Sequence, residues 1–308
     1  MQHATPLDWL GLAALTAMYG SAFMLTKLAV QELLPVTVTA GRIAIAAVLL
    51  LSLAFIRKES FGFLRTIWPL IIALAIFGNC LPFYLISWGQ QTVDSGIAGI
   101  LMAVMPLATI VMAHFFVPGE KLNALQVLGF LAGFAGILIL LGPAAVTEFG
   151  SETHTFLPML SILGGALCYA LNTILAKQLP KESLLAISAA VMLVSALIML
   201  PAWWATQGEA SIHLVSTEFL AVVLLGLFPT ALATLIYFAV IARAGPSFLS
   251  QINYLIPVWA LLMGIALMNE SFSLHAFLAL TVILAGMAIA GRGRPLPGYR
   301  QTTTPPDR

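Results

Sequence analysis

The stretch YGSAFMLTK (Tyr19–Lys27) recurs 150 residues later as YALNTILAK (Tyr169–Lys177), with its tyrosine and lysine in register. Further pairs follow the same spacing: Glu120 with Glu270, Gly136 with Gly286 and, one residue out of step, Met105-Pro106 with Ile256-Pro257. A fixed internal period indicates a duplicated structural unit. The repeated unit is almost wholly apolar, so we interpret it as a duplicated membrane segment.

Composition identifies lipid as the solvent of this chain. Of its 308 residues, 61% are hydrophobic and 8% are charged, whereas a soluble domain carries about 25% charged residues. The net charge of +1 and the lack of a basic patch argue against a nucleic-acid partner. Both cysteines, Cys80 and Cys168, lie inside apolar runs, which argues against a disulfide framework.

Ten apolar segments are long enough to cross a bilayer, which takes about 20 helical residues. Their runs are continuous rather than alternating, which favours helices over a barrel. The first is too long for a signal-peptide core and no basic region precedes it, so we expect it to be retained. The predicted spans are 7–30, 35–56, 66–88, 93–117, 122–142, 157–178, 183–204, 218–242, 247–268 and 273–291.

The basic residues predict the orientation, because Lys and Arg accumulate in cytoplasmic loops. With both termini inside, all but two of the 13 Lys and Arg residues fall in or beside inner loops and the C-terminal tail. The two exceptions, Lys27 and Arg42, lie within spans near the outer side. The outer loops carry only acidic charge. We therefore predict an all-α membrane protein whose N- and C-termini are both cytoplasmic.

Five spans per copy is an odd number, so the second copy enters the membrane from the opposite side. This arrangement of inverted repeats is the basis of alternating access in many transporters. The predicted organisation is an N-terminal tail (1–6), a first five-helix repeat (7–142), a connecting loop (143–156), a second repeat (157–291) and a disordered cytoplasmic tail (292–308).

Local motifs in both copies resemble the EamA-domain members of the drug/metabolite transporter superfamily, and most closely the YddG-type aromatic amino acid exporters. The matching residues are Pro35 and Arg42, Met105-Pro106, Glu120-Lys121, and Gly129, Gly133 and Gly136 in the first half, and Pro257, Glu270 and Gly286 in the second. The second half departs from the pattern at Met192, which stands at the position equivalent to Arg42.

The resemblance implies a basket of ten helices around a central cavity lined mainly by spans 1, 3, 4, 6, 8 and 9. It implies export of amino acids or related metabolites, which we place in a bacterial-type inner membrane. A uniporter or exchanger is expected separately, because no Asp or Glu lies near the middle of a span. The expected partners are a small-molecule substrate and the lipid bilayer, without a cofactor. We expect a monomer, with a dimer as the alternative.

Polar side chains within spans are costly in lipid and therefore suggest a binding site. Several share helical faces in spans 1, 3, 6 and 9, where amides could bind charged groups and rings could bind an aromatic side chain. Hydrogen bonding between neighbouring helices is the alternative role. The predicted substrate-binding residues are Tyr84, Trp88, Gln251, Asn253, Tyr254, Asn79, Tyr19, Tyr169 and Asn172.

The twin lysines Lys27 and Lys177 lie near opposite membrane faces, where they could gate the two mouths of a cavity or simply extend to the interface. The twin prolines Pro106 and Pro257 could act as hinges or fix the curvature of their helices. For Arg42 a structural role is the simpler expectation, with Glu32 or a helix-end carbonyl as its partner.

The sequence argues against catalysis and against direct use of ATP. It contains no HExxH motif, no pair of carboxylates within a span and no phosphate-binding loop. Without a carboxylate near the middle of a span, tight proton coupling is also disfavoured. The open alternatives are a carrier of purines, nucleotide sugars or drugs, or an intramembrane enzyme. A phosphate cargo would need two or more convergent basic residues, so neutral or zwitterionic cargo fits better.

Overall fold

A computed structural model describes residues 5–62, 64–117, 120–141, 156–180, 183–206 and 216–292, without the side chains of residues 246 and 247. The predicted tails and connecting loop therefore lie largely outside the described residues. Residues 1–4 of the first tail, 143–155 of the loop and 293–308 of the second tail are not described.

Ten apolar helices make up the described chain, which confirms an all-α membrane protein. Nine of those described are long and apolar enough to span a bilayer, and α9, with 17 residues, is slightly shorter. The helices are α1 (Pro6–Ala29), α2 (Pro35–Ile56), α3 (Leu64–Gly89), α4 (Ser95–Phe116), α5 (Ala124–Leu141), α6 (Phe156–Ala176), α7 (Leu184–Thr206), α8 (Thr217–Gly245), α9 (Ile252–Met268) and α10 (Leu274–Arg292).

The boundary between α8 and α9 differs from the one expected at Arg243–Pro246. Gly245 has φ 83°, which breaks α8, yet one further helical turn continues to Leu249. α9 then begins only at Ile252. A positive φ costs little at glycine, so the chain can change direction here inside an apolar sequence.

Both halves interrupt a helix at the same repeat position. α3 contains a π-helical segment at Ile76–Cys80 and α8 contains one at Gly226–Leu232, again 150 residues later. In α8, Pro229 has no amide hydrogen, so the Leu225 carbonyl loses its usual α-helical donor. The hydroxyl of Thr230 donates to that carbonyl at 2.7 Å. Such π segments are frequent at functional sites.

The glycines of α5 pack against α10, its repeat twin. A Cβ atom on Gly129 would lie 2.4 Å from the carbonyl oxygen of Gly286, and one on Gly286 would lie 2.6 Å from the carbonyl oxygen of Gly129. Gly136 is equally close to Ile283. These glycines therefore permit close internal packing of two helices. Neither helix lines the cavity described below.

Two interhelical contacts define the two ends of the bundle. At one end, Arg243 Nε donates to Asp8 Oδ1 at 2.8 Å, which joins the start of α1 to the end of α8. At the other end, Glu270 contacts Ser95, which joins the end of α9 to the start of α4. We call these ends the Asp8 face and the Glu270 face.

We expect Gly129→Ala to lower the stability of the protein by about 1–3 kcal/mol, because the added methyl group overpacks the α5–α10 contact. The melting temperature in detergent measures this effect. Gly164→Ala is the matched control, since a Cβ there meets only the Leu85 side chain at an ordinary 3.4 Å. Equal melting temperatures for the two variants would contradict the assigned packing.

Candidate functional site

A central cavity of about 510 Å³ lies between the two halves. Its walls come from α1, α3, α4, α6, α8 and α9, the helices that the resemblance implies. α2 and α7 add one residue each, Arg42 and Met192, which are repeat twins. The inverted halves thus contribute equivalent helices to one shared space.

The cavity opens toward the Asp8 face. Near the Glu270 face its wall is closed: Thr26 is 2% exposed and Phe23 is 8% exposed. Toward the Asp8 face the lining residue Thr173, close to the end of α6, is exposed. The cavity is therefore accessible from one side of the bundle and sealed at the other.

The carboxylate of Glu270 forms the centre of the seal. It accepts hydrogen bonds from the backbone N–H of Ser95 at 2.8 Å, from the Ser95 hydroxyl at 3.0 Å and from the backbone N–H of Gly96 at 3.1 Å. The two backbone N–H groups are among the free amides at the N-terminus of α4, where the helix dipole also favours a negative charge. The end of α9 is thereby held on the start of α4.

Local geometry places Glu270 in this position. Asn269 ends α9 in the left-handed conformation with φ 54°, which turns the chain back toward its own helix. A Cβ on Gly264 would collide with the Glu270 carboxylate, so only glycine leaves room for it there. Asp94 occupies the N-cap position of α4, but its side chain makes no capping hydrogen bond. The capping carboxylate comes from α9 instead.

Two further contacts strengthen the same seal. Lys27 Nζ donates to the Val93 carbonyl at 3.1 Å, and Gln90 Nε2 donates to the Phe23 carbonyl at 2.9 Å. Burial and the nearby Glu270 carboxylate raise the pKa of Asp94, and Lys27 partly offsets this effect. One cation and two carboxylates therefore meet at the Glu270 face.

The repeat twins of these residues make different contacts at the Asp8 face. Lys177 forms a salt bridge with Glu120, and both side chains are about half exposed. An exposed pair of this kind contributes between about 0 and 1 kcal/mol. His114 stands where the second half has Gly264, so Glu120 lacks the space that receives Glu270. The twin clusters are thus in different states.

Arg42 is the one charged residue among the described residues that line the cavity. Its Nε and Nη2 atoms donate to the Thr230 hydroxyl at 3.3 and 3.0 Å. The guanidinium carbon lies 3.7 Å from the centroid of the Phe83 ring. Neither Glu32 nor a helix-end carbonyl, the partners expected from the sequence, makes these contacts.

The structure divides the predicted substrate-binding residues into two groups. Those that line the cavity are Tyr19, Asn79, Tyr169, Asn172 and Asn253, together with the twin prolines Pro106 and Pro257. Those that do not line it are Tyr84, Trp88, Gln251 and Tyr254.

Three of the residues that do not line the cavity, Tyr84, Trp88 and Tyr254, lie in other identifiable environments. Tyr84 and Trp88 are 39% and 37% exposed on the outer side of α3, about 100° around the helix from Phe83 and Ser87. The Tyr254 hydroxyl donates to the Met287 carbonyl at 3.1 Å and so joins α9 to α10. For Tyr254 the structure shows the interhelical hydrogen bond that was the alternative role.

Sequence inspection did not identify several lining residues. Phe83, Tyr237 and Thr230 line the cavity but were not among the predicted binding residues. Phe83 lies one helical turn after Asn79, and Thr230 directly follows an intramembrane proline. A hydroxyl directly after a proline within a span is a usable signal, because it can satisfy a carbonyl that the proline leaves without its α-helical donor.

The antiparallel bundle, the inverted halves and the central cavity between them define a membrane transport protein. A family model, the EamA-like transporter family, matches residues 8–142 and 156–292, once in each half. The chain belongs to this family.

Several similar proteins match over nearly the whole chain. "Protein PagO" of Salmonella typhimurium is 26% identical, over 91% of this chain and 91% of its own length. The "Uncharacterized inner membrane transporter YedA" of Escherichia coli K12 is 28% identical, over 92% and 90%. One crystal structure shares the fold with a TM-score of 0.65 at 21% identity, covering 93% of this chain and 97% of its own.

We expect Glu270→Gln to open the seal, because the loss of charge weakens three hydrogen bonds to the start of α4. The measurement is labelling of Thr26→Cys by an impermeant thiol reagent added at the Glu270 face, in a Cys168→Ala background. Labelling should accelerate by about tenfold, the value of a 1.4 kcal/mol change. Glu120→Gln, at the other face, is the control, and equal rates in both variants would exclude Glu270 from the seal.

Proposed function

We propose that this transporter exports aromatic or other neutral amino acids by alternating access, as a uniporter or exchanger in a bacterial-type inner membrane. In the proposed orientation both termini are cytoplasmic, as the distribution of basic residues predicts. The cavity then opens to the cytoplasm at the Asp8 face. Cargo would enter there and leave after the Glu270 face opens. The closer resemblance to YddG-type exporters remains part of this proposal.

One observation carries the proposal: the central cavity between two inverted repeats is open at one face and sealed at the other. In such a protein each half can adopt the conformation of its twin, which exchanges the open and closed faces. Glu120 and Lys177 would then form the seal at the Asp8 face, while Glu270 and Lys27 separate. The twin prolines Pro106 and Pro257 lie where α4 and α9 would bend.

The lining chemistry supports amino acid cargo. About 510 Å³ lies within the usual range for small-molecule sites. The amides of Asn79, Asn172 and Asn253 can accept from an ammonium group, and the rings of Phe83 and Tyr169, which pack edge to face at 6.3 Å, offer an aromatic surface. One cation is too few for a nucleotide sugar, whose two phosphates usually meet several basic groups.

The test is counterflow of radiolabelled amino acids in proteoliposomes, with purines and nucleotide sugars as comparison substrates. We expect exchange of neutral amino acids and no exchange of nucleotide sugars. Asn79→Ala and Asn172→Ala should each reduce the rate about two- to tenfold, the value of one hydrogen bond. Tyr84→Ala and Trp88→Ala are controls on the same wall helix and should leave the rate unchanged. A purine-only exchanger would overturn the amino acid assignment.

Energy coupling can be tested in the same vesicles. None of the described lining residues is an Asp, Glu or His, so the cavity wall offers no group of the kind that relays protons in coupled carriers. We therefore expect uptake into sealed vesicles to proceed without a pH gradient. Uptake that fails when the gradient is collapsed would contradict a uniporter or exchanger mechanism.

A further inference from the structure

We propose that Arg42 binds the carboxylate of the cargo and restricts the site to monocarboxylates, an inference that rests on the proposed transport function for its cargo. The starting point is an unbalanced charge. Arg42 is 6% exposed, and the described residues that line the cavity include no Asp or Glu. A cation within a membrane span is costly and usually pairs with an anion or with backbone carbonyls.

The known contacts of Arg42 leave part of its hydrogen-bonding capacity for a ligand. A guanidinium has five N–H donors. Thr230 receives the Nε donor and one Nη2 donor, and no hydrogen bond from Nη1 joins it to another described side chain. The edge formed by Nη1 and the second Nη2 hydrogen remains available. That edge matches the two oxygens of a carboxylate.

Thr230 and Phe83 hold the guanidinium in place. The Thr230 hydroxyl gives its own hydrogen to the Leu225 carbonyl, so toward Arg42 it can only accept. Phe83 covers one face of the guanidinium at 3.7 Å. A planar anion can therefore approach along the free edge without displacing either neighbour. Preorganisation of this kind reduces the entropy lost on binding.

The environment selects a carboxylate over a phosphate. A single guanidinium balances one negative charge, and Arg42 is the one basic residue among the described lining residues. Tyr19 and Tyr169 lie within electrostatic range of the guanidinium and could donate hydrogen bonds to the same oxygens. These hydroxyls complete a site for one carboxylate, whereas a phosphate would retain uncompensated charge.

The repeat makes this site asymmetric. Met192, the twin of Arg42, also lines the cavity and is 7% exposed. If the cation served only to hold helices together, the equivalent position in the second half could carry one as well. Only the first half contains it, at Arg42. The asymmetry gives the cargo one orientation, with its carboxylate toward α2 and α8.

Four compounds with one side chain test the proposal by counterflow: phenylalanine, phenylalaninamide, phenethylamine and 3-phenylpropionate. For the wild-type protein we expect exchange of phenylalanine and 3-phenylpropionate, and weak exchange of the two compounds without a carboxylate. Arg42→Met introduces the residue of the twin position. It should reduce exchange of phenylalanine and 3-phenylpropionate about ten- to a hundredfold, the value of a charge-assisted hydrogen bond. The ratio of the exchange rates of phenylalanine and phenylalaninamide, which we call the carboxylate-to-amide ratio, should then be close to one.

Further variants separate binding from a structural role. Arg42→Lys should keep part of the carboxylate preference, because it retains the charge without the planar fork. Met192→Leu is the control at the twin position and should leave the ratio unchanged. A purely structural Arg42 would instead lower exchange of all four compounds in parallel, with the ratio unaltered and the melting temperature reduced. That result would overturn the proposal.

The outcomes distinguish this proposal from the proposed function. Exchange of 3-phenylpropionate without exchange of any amino acid would reject amino acid transport and retain the carboxylate site. Exchange of phenethylamine or phenylalaninamide alone would reject the carboxylate site. If no compound is exchanged, the carboxylate site can be tested by ligand binding instead. The measurement is the melting temperature of the purified protein with and without 3-phenylpropionate at about 10 mM, roughly ten times a millimolar Kd. A rise that is lost in Arg42→Met supports the site, and no rise, or an equal rise in both, overturns it.

Discussion

The structure depends on how a helix broken inside the membrane satisfies its own backbone. Within lipid, a carbonyl without a donor costs several kcal/mol, so a proline is tolerated only where another group replaces the lost hydrogen bond. At Pro229 the helix shifts to the π pattern, which pairs the Leu225 carbonyl with the backbone N–H of Thr230. The Thr230 hydroxyl also donates to this carbonyl and accepts from Arg42. One side chain therefore stabilises the π segment of α8 and fixes the cation of the cavity.

The inverted repeat gives the two halves equivalent backbones but not equivalent side chains. The π segments of α3 and α8 occupy matching positions and both border the cavity, through Asn79 in one half and Thr230 in the other. In the α5–α10 pair, Gly136 and Gly286 occupy matching positions, and at each of them an added Cβ would collide with the facing helix. Under the proposed function, geometry that both conformations need would be duplicated, while the chemistry that recognises cargo need occur only once.

Sequence patterns predict much of this fold because lipid imposes a simple rule. Long apolar runs must become helices, and ten runs in two copies predict the inverted bundle. The site is harder to predict, since the direction of a side chain depends on rotation of its helix. Trp88 was selected for its chemistry, yet it lies on the exposed side of α3, whereas Phe83 stacks on Arg42. The partners predicted for Arg42, Glu32 or a helix-end carbonyl, were wrong because its contacts, Thr230 and Phe83, lie on helices that are distant in the sequence.

The Glu270 face and the Asp8 face also differ in the residues that surround their glutamates, Glu270 and Glu120. At the Glu270 face, Gly264 receives the carboxylate, and Ser95 offers it both an amide and a hydroxyl. At the Asp8 face, His114 stands in the place of Gly264, so Glu120 lacks the space that receives Glu270. Glu120 instead forms a half-exposed salt bridge with Lys177. Under the proposed alternating access, the population of each state follows the difference in their free energies. The closer fit of Glu270 would then favour the state that is closed at the Glu270 face, in which the empty cavity stays open toward the Asp8 face.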